Sequence, residues 1–218
     1  MNIYTYLLLF LLFHVQGLEA QMDTTVKFDW NGNLESRYYN KEGKIYGFIY
    51  FPDGNLDTKM VLHPDSTIIT FLRWDRKGVL IQSVTETEYY QYVPETELIA
   101  KGKQRKWKFH GHLITTVKGK LAMDQMYSDG WLHGPSITYN VRSKNEKVLL
   151  SYINYKMGKP HGECIYYTER GVLDSKLFFE NGCLIKTQSF DASGKIKEET
   201  TDKTLLKHRY RENVCDDR

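Results

Sequence analysis

The chain has 218 residues, 41% hydrophobic and 26% charged, with 5 Pro and 16 Gly, which excludes collagen-like and compositionally disordered classes. A mean hydropathy of -0.53 excludes a multi-span membrane protein, and a net charge of +3 is too small to nominate nucleic acid as a partner. The aromatic share is high, with 16 Tyr, 10 Phe and 4 Trp, and favours strands over helices.

Residues 1–20 read as a cleaved secretory leader. Leu7 to Val15 is a dense apolar run that reaches back towards Ile3. It is shorter than the roughly 20 residues that span a bilayer and suits the apolar core of a signal peptide. The segment before it carries no Lys or Arg, and small residues at Gly17 and Ala20 offer two cleavage positions. No Cys follows the run, so a lipid-modified N-terminus has no support. The expected location is secreted or periplasmic, with no integral membrane span once the leader is removed. The chain has no Asn-x-Ser/Thr site, which points to a bacterial envelope rather than a eukaryotic secretory route.

From residue 21 to 200 one short signature returns, x-Gly-x-Leu/Ile. It reads NGNL at 31–34, EGKI at 42–45, DGNL at 53–56, KGVL at 77–80, HGHL at 110–113, KGKL at 118–121 and DGWL at 129–132. It returns as RGVL at 170–173, NGCL at 181–184 and SGKI at 193–196. Gly32, Gly43 and Gly54 are spaced by 11 residues, and Gly171, Gly182 and Gly194 by 11 and 12. Asn-Gly and Asp-Gly supply the positive φ of a type I′ turn, and such a period leaves seven or eight residues per strand. The segments between are β-rich: KIYGFIYF at 44–51, TIITFLRW at 67–74 and VLDSKLFF at 172–179. The spacing therefore predicts an all-β antiparallel meander of at least ten strands over 25–200, with no helix longer than two turns. A linear repeat favours an open, elongated sheet over a closed barrel.

The stretch Thr85–Glu97 has four acids and no base, while Leu98–Met123 has seven bases and no acid. Lys101, Lys103, Arg105, Lys106 and Lys108, interleaved with Trp107 and Phe109, form a candidate strip for an anionic lipid or glycan. The alternative is two adjacent strands that pair charges across the ladder on a solvated face. Tyr89, Tyr90 and Tyr92 read as packing more readily than as a ligand platform. His110 and His112, two apart on a strand, share a face, but no third metal ligand lies at suggestive spacing. Glu86/Glu88 and Glu95/Glu97 sit on single strands and do not oppose one another as a glycosidase pair must. No catalytic fingerprint is present, so the expectation is no enzyme, no metal and no cofactor.

A longer motif, Tyr-x-x-Gly-x-x-His-Gly-x-x-x-x-Tyr, runs from Tyr127 to Tyr139 and from Tyr155 to Tyr167, with a weaker copy at Tyr39–Tyr50. Over 29–57 and 127–196 the chain resembles MORN-repeat variants of bacterial exported and antitoxin-like proteins. GKPHGE at 158–163 is the most specific piece, and 58–126 is a diverged continuation. The resemblance implies an elongated hairpin-repeat sheet acting as a scaffold. It marks Gly32, Gly43, Gly54, Gly130, His133, Gly134, Tyr139, Gly158, His161, Gly162, Tyr167, Gly171, Gly182 and Gly194 as structural. Repetition argues against catalysis, because an active site is needed once and a packing solution on every rung.

Cys164 falls early in a strand expected at 162–169, and Cys183 opens the next strand but one, at 183–190. Two ladder spacings, about 9–10 Å, exceed disulfide reach, so they should not bridge each other. Cys215 is left as a possible partner for either. After Thr201 the glycine period ends, and the tail 201–218 is polar or a short capping helix bearing Leu205, Leu206, Arg209 and Val214. The functional expectation is a non-enzymatic exported scaffold for a protein partner, with no nucleic acid.

Overall fold

The computed structural model of the chain describes residues 24–141 and 147–209. The leader expected at 1–20, Val214 and Cys215 lie outside the described residues. Contacts divide the chain into two compact units, one ending at Glu86 and the other beginning at Thr87.

The first unit holds β1 (Thr24–Phe28), β2 (Leu34–Lys41), β3 (Lys44–Tyr50), β4 (Leu56–Leu62), β5 (Ile68–Trp74) and β6 (Leu80–Thr85). Each strand pairs antiparallel with its neighbours in sequence, from β1 on β2 to β5 on β6. The second unit continues with β7 (Glu88–Val93), β8 (Leu98–Arg105), β9 (Lys108–Val117), β10 (Lys120–Ser128), β11 (Trp131–Asn140) and β12 (Val148–Lys156). It ends with β13 (Lys159–Pro160), β14 (Gly162–Tyr167), β15 (Leu173–Glu180), β16 (Cys183–Phe190), β17 (Ile196–Thr200) and α1 (Lys203–Arg209). These strands also pair in sequence order, and both β13 and β14 lie on β12. Among the described residues neither unit closes on itself: within the first, β1 pairs only with β2, and within the second, β17 pairs only with β16. The fold is the expected all-β meander of hairpins, open rather than barrel-shaped.

Among the described residues the recurring turns are of two kinds, where the spacing predicts one. Six are two-residue turns with both φ positive: Glu42–Gly43, Lys106–Trp107, Lys118–Gly119, Asp129–Gly130, Met157–Gly158 and Asn181–Gly182. These are the expected type I′ geometry. Gly32, Gly54, Gly78, Gly171 and Gly194 instead follow a wider turn in which the glycine N–H donates to the carbonyl three residues earlier, as Gly32 does to Asp29 at 3.0 Å. The strand register slips beside each of these loops, for example between Lys27 and Phe28, so the glycine fills the left-handed position of a bulge. Aspartate explains the choice: Asp29 Oδ1 accepts from the N–H groups of Asn31 and Asn33, and Asp191 Oδ1 from those of Ser193 and Lys195. Gly111, expected at a turn, lies inside β9 at φ 82. Its counterparts are Gly134 and Gly162, so His110-Gly111 is a third copy of the His-Gly element within the diverged segment.

Each unit buries one sheet face. In the first, Met60 is 2% exposed, Leu62 and Thr58 are buried beside it, and Gly47 admits the Tyr38 ring from the neighbouring strand. In the second, Cys164, Phe179 and Leu184 form a core with Leu206, which is 0% exposed. Leu206 comes from α1, whose start is capped by Asp202 Oδ1 accepting from Thr204 N–H at 2.8 Å. The tail thus makes the capping helix, through Leu206; Leu205 faces outward.

Candidate interaction surface

Along one edge of the second unit the two-residue turns stack in a row, and the recurring signature explains how. The residue after one turn lies on the glycine of the next. The Lys108 stem covers Gly130, the Trp131 ring covers Gly158 and the Lys159 stem covers Gly182. The following carbonyl then accepts the covered glycine's N–H: Phe109 from Gly130 at 2.9 Å, Leu132 from Gly158 at 2.8 Å and Pro160 from Gly182 at 3.0 Å. A side chain on any of these glycines would displace its cover as well as strain a positive φ. The histidines serve the same row. His161 Nδ1 accepts from Asn181 N–H at 3.4 Å, and His110 Nδ1 stands 3.7 Å from Asp129 Oδ1, at the equivalent turn. His133 is exposed on β11. On the opposite edge Val148 lies against Gly171. Tyr139 lies under the Lys147 ammonium at 3.9 Å from the ring centre, and Tyr167 is half-buried beside Leu173.

The basic residues approach this edge along β8. Lys101, Lys103 and Arg105 alternate with Ala100, Gly102 and Gln104, so all three project from the exposed face. They have company there. Lys101 lies over the Tyr90 ring at 5.4 Å, and Lys103 is directly opposite Glu88 in register. Arg105 Nε reaches Asp129 Oδ1 at 3.2 Å, and this guanidinium holds the Asp129 carboxyl below its ordinary range. β7 and β8 are adjacent, as the cross-strand reading expects, but of the four acids only Glu88 falls on β7 and faces a base; Glu86, Glu95 and Glu97 lie in the connections. Tyr89 is a packing residue, edge-on to Phe109 at 5.1 Å. His112 Nδ1 meets Asp124 Oδ1 at 2.7 Å, whereas His110 turns towards Asp129, so the two imidazoles do not form one site. The left-handed Gly111 between them breaks the simple alternation assumed from spacing.

Three large apolar side chains stand exposed on the same row of turns: Trp107, Trp131 and Met157. Trp107 is the unexpected one. Of the six two-residue turns, five place glycine second, and here the residue is Trp107 at φ 66. An L-residue in that region costs about 1–2 kcal/mol relative to glycine. Lys106, Lys108, Lys156 and Lys159 are exposed around these three. The spacing of Gly-x-Leu motifs conceals this position, because the turn lacks the glycine that marks the others.

No family model matches the chain, and no curated protein matches it. Solved structures that match include TcdB2-TccC3-Cdc42, 12% identical over 81% of this chain with a TM-score of 0.22. TcdB2-TccC3 is 14% identical over 81% at 0.22, and the Photorhabdus luminescens Tc holotoxin pore is 10% identical over 85% at 0.17. This chain spans 12–14% of the length of those chains. Likenesses of that size carry no argument about fold or function.

Proposed function

We propose that the protein is a non-enzymatic, exported repeat scaffold that holds a protein partner in the bacterial envelope through the turn row of its second unit. The observation that carries this reading is Trp107. A large aromatic kept at a left-handed position, where five equivalent turns use glycine, gives up local stability without filling a core. Aromatic and Met side chains are what protein interfaces concentrate, and a ridge of Trp107, Trp131 and Met157 ringed by lysines fits an apolar cleft with an acidic rim. The His-Gly repeats supply the rungs that hold this ridge, and the apolar leader supplies the export route.

Affinity capture of the protein from its own envelope fraction, followed by mass spectrometry, tests the reading. One acidic-rimmed protein should be retained by the native chain and lost with Trp107→Gly. A second reading, an anionic glycan or lipid bound by the strip, draws on Lys101, Lys103 and Arg105 sharing one exposed strand face. It requires salt-dependent sedimentation with anionic liposomes or envelope polymer that falls when Lys101, Lys103, Arg105 and Lys106 become Gln. Sedimentation unchanged by those four substitutions would retire it.

A further inference from the structure

The first unit has a bare edge. Among the described residues β1 pairs with β2 alone, which leaves one side of its backbone without strand partners. Edge strands are ordinarily guarded by charge, proline or bulges that discourage a further strand. The free edge strand of the second unit, β17, follows that rule: it reads IKEET, with Lys197, Glu198 and Glu199 all exposed. β1 reads TTVKF, with one charge and a register slip confined to its end, between Lys27 and Phe28, so that Thr24–Lys27 stays regular. Its one charge, Lys27, is already engaged with Glu35 at 2.9 Å. Val26 and Phe28 are exposed on one face of the strand, and Trp30, in the loop that follows, is 92% exposed. A largely apolar edge, regular over Thr24–Lys27 and beside an exposed Trp, is the arrangement that accepts another strand.

We propose that the occupant is β1 of a second copy of this chain, paired antiparallel about Val26. Register and charge select it. With Val26 opposite Val26 of the second copy, Thr25 faces Lys27 and Thr24 faces Phe28, so no like charges oppose each other. Pairing β17 with β17 places Glu198 against Glu198. Pairing β1 head-to-tail with β17 in full antiparallel overlap sets Lys27 opposite Lys197 and Val26 opposite Glu198. The isologous arrangement is also self-limiting: a two-fold contact uses up both bare edges, whereas a head-to-tail one would propagate. The two Phe28 side chains then flank the central valines on one face.

Cross-linking at single positions tests this on the full protein. Cys164 is buried and Cys183 is disulfide-bonded, so an added cysteine on β1 is read against a quiet background. Val26→Cys should give a covalent dimer with a short bismaleimide. Thr24→Cys should not, because in this register the two Thr24 positions lie four residues apart, about 13 Å. Sedimentation should show a concentration-dependent dimer, weakened at least tenfold by Val26→Lys, which sets two ammonium groups face to face at an exposed site. A monomer at all concentrations, a dimer indifferent to Val26→Lys, or cross-linking at Thr24 instead of Val26 would each overturn the proposal.

Discussion

Trp131 lies flat against Gly158: a Cβ built on that glycine would meet the indole Cε3 at 2.8 Å. The contact joins the residue after one turn to the glycine of the next, and Lys108 on Gly130 and Lys159 on Gly182 repeat it. It explains why, in this row, a long side chain follows the turns at 106–107, 129–130 and 157–158. Gly158→Ala should therefore cost more than Gly54→Ala, which meets open space. Positive φ alone accounts for about 1–2 kcal/mol at each position, and overpacking against the indole adds about 1–3 kcal/mol at Gly158 only. Urea unfolding of the two variants measures the difference. Combining Gly158→Ala with Trp131→Ala should recover part of it, since the pair is coupled.

Leu206 is wholly buried against Cys164, Phe179 and Leu184, while Leu205 beside it points outward. Leu206→Ala should cost about 2–5 kcal/mol, in the range of a core leucine whose site cannot collapse. Leu205→Ala should stay within about 0.5 kcal/mol, as surface changes do. Thermal unfolding followed by circular dichroism separates them.

The loop aspartates, including Asp65 in the 63–67 turn where Ser66 N–H donates to the His63 carbonyl, should make the fold acid-sensitive. Asp29, Asp65 and Asp191 have carboxyl pKa values below the ordinary 3.8, chiefly through side-chain hydrogen bonds from Asn33, Thr67 and Ser193 respectively. A carboxylate with a depressed folded-state pKa contributes stability above its unfolded pKa and loses it as pH falls through the folded value. Stability should be level above about pH 5 and decline from about pH 4 downwards. Asp29→Asn with Asp191→Asn should flatten that decline in urea melts taken at successive pH values.

Cys183 is disulfide-bonded and Cys164 is free and buried, with its thiol pushed up chiefly by burial. The two do not bridge each other, as the strand order demanded. Cys215, which the sequence leaves open as a partner for either, lies outside the described residues. Alkylation of the native protein should leave Cys164 unmodified. After unfolding without reductant, Cys164 alone should react, and peptide mapping should return Cys183 joined to Cys215.

Much of the meander is legible in the sequence because turn chemistry is local. The strands expected at 162–169 and 183–190 form at Gly162–Tyr167 and Cys183–Phe190 for that reason. Where a glycine does two jobs, the reading falters. Gly111 carries the turn signature but bulges a strand, and its role is visible only from the neighbours that share its register. The two turn classes differ in hydrogen bonds that span four or five residues, which a period in glycines does not encode. The candidate surface was half legible. Lys106 and Lys108 stood out as charge, but what marks the site is Trp107, and its significance lies in a backbone angle. Pairings such as Arg105 with Asp129 join residues on different hairpins and needed the register to be seen.

The most direct measurement compares stability and partner affinity in Trp107→Gly. Replacing Trp107 with the residue that the other five two-residue turns use relieves the left-handed strain, so the melting temperature should hold or rise by a few degrees. If Trp107 is kept for contact, affinity for the captured partner should fall at least tenfold in the same variant, a loss of about 1.4 kcal/mol or more. Undiminished affinity at equal or greater stability would contradict the account.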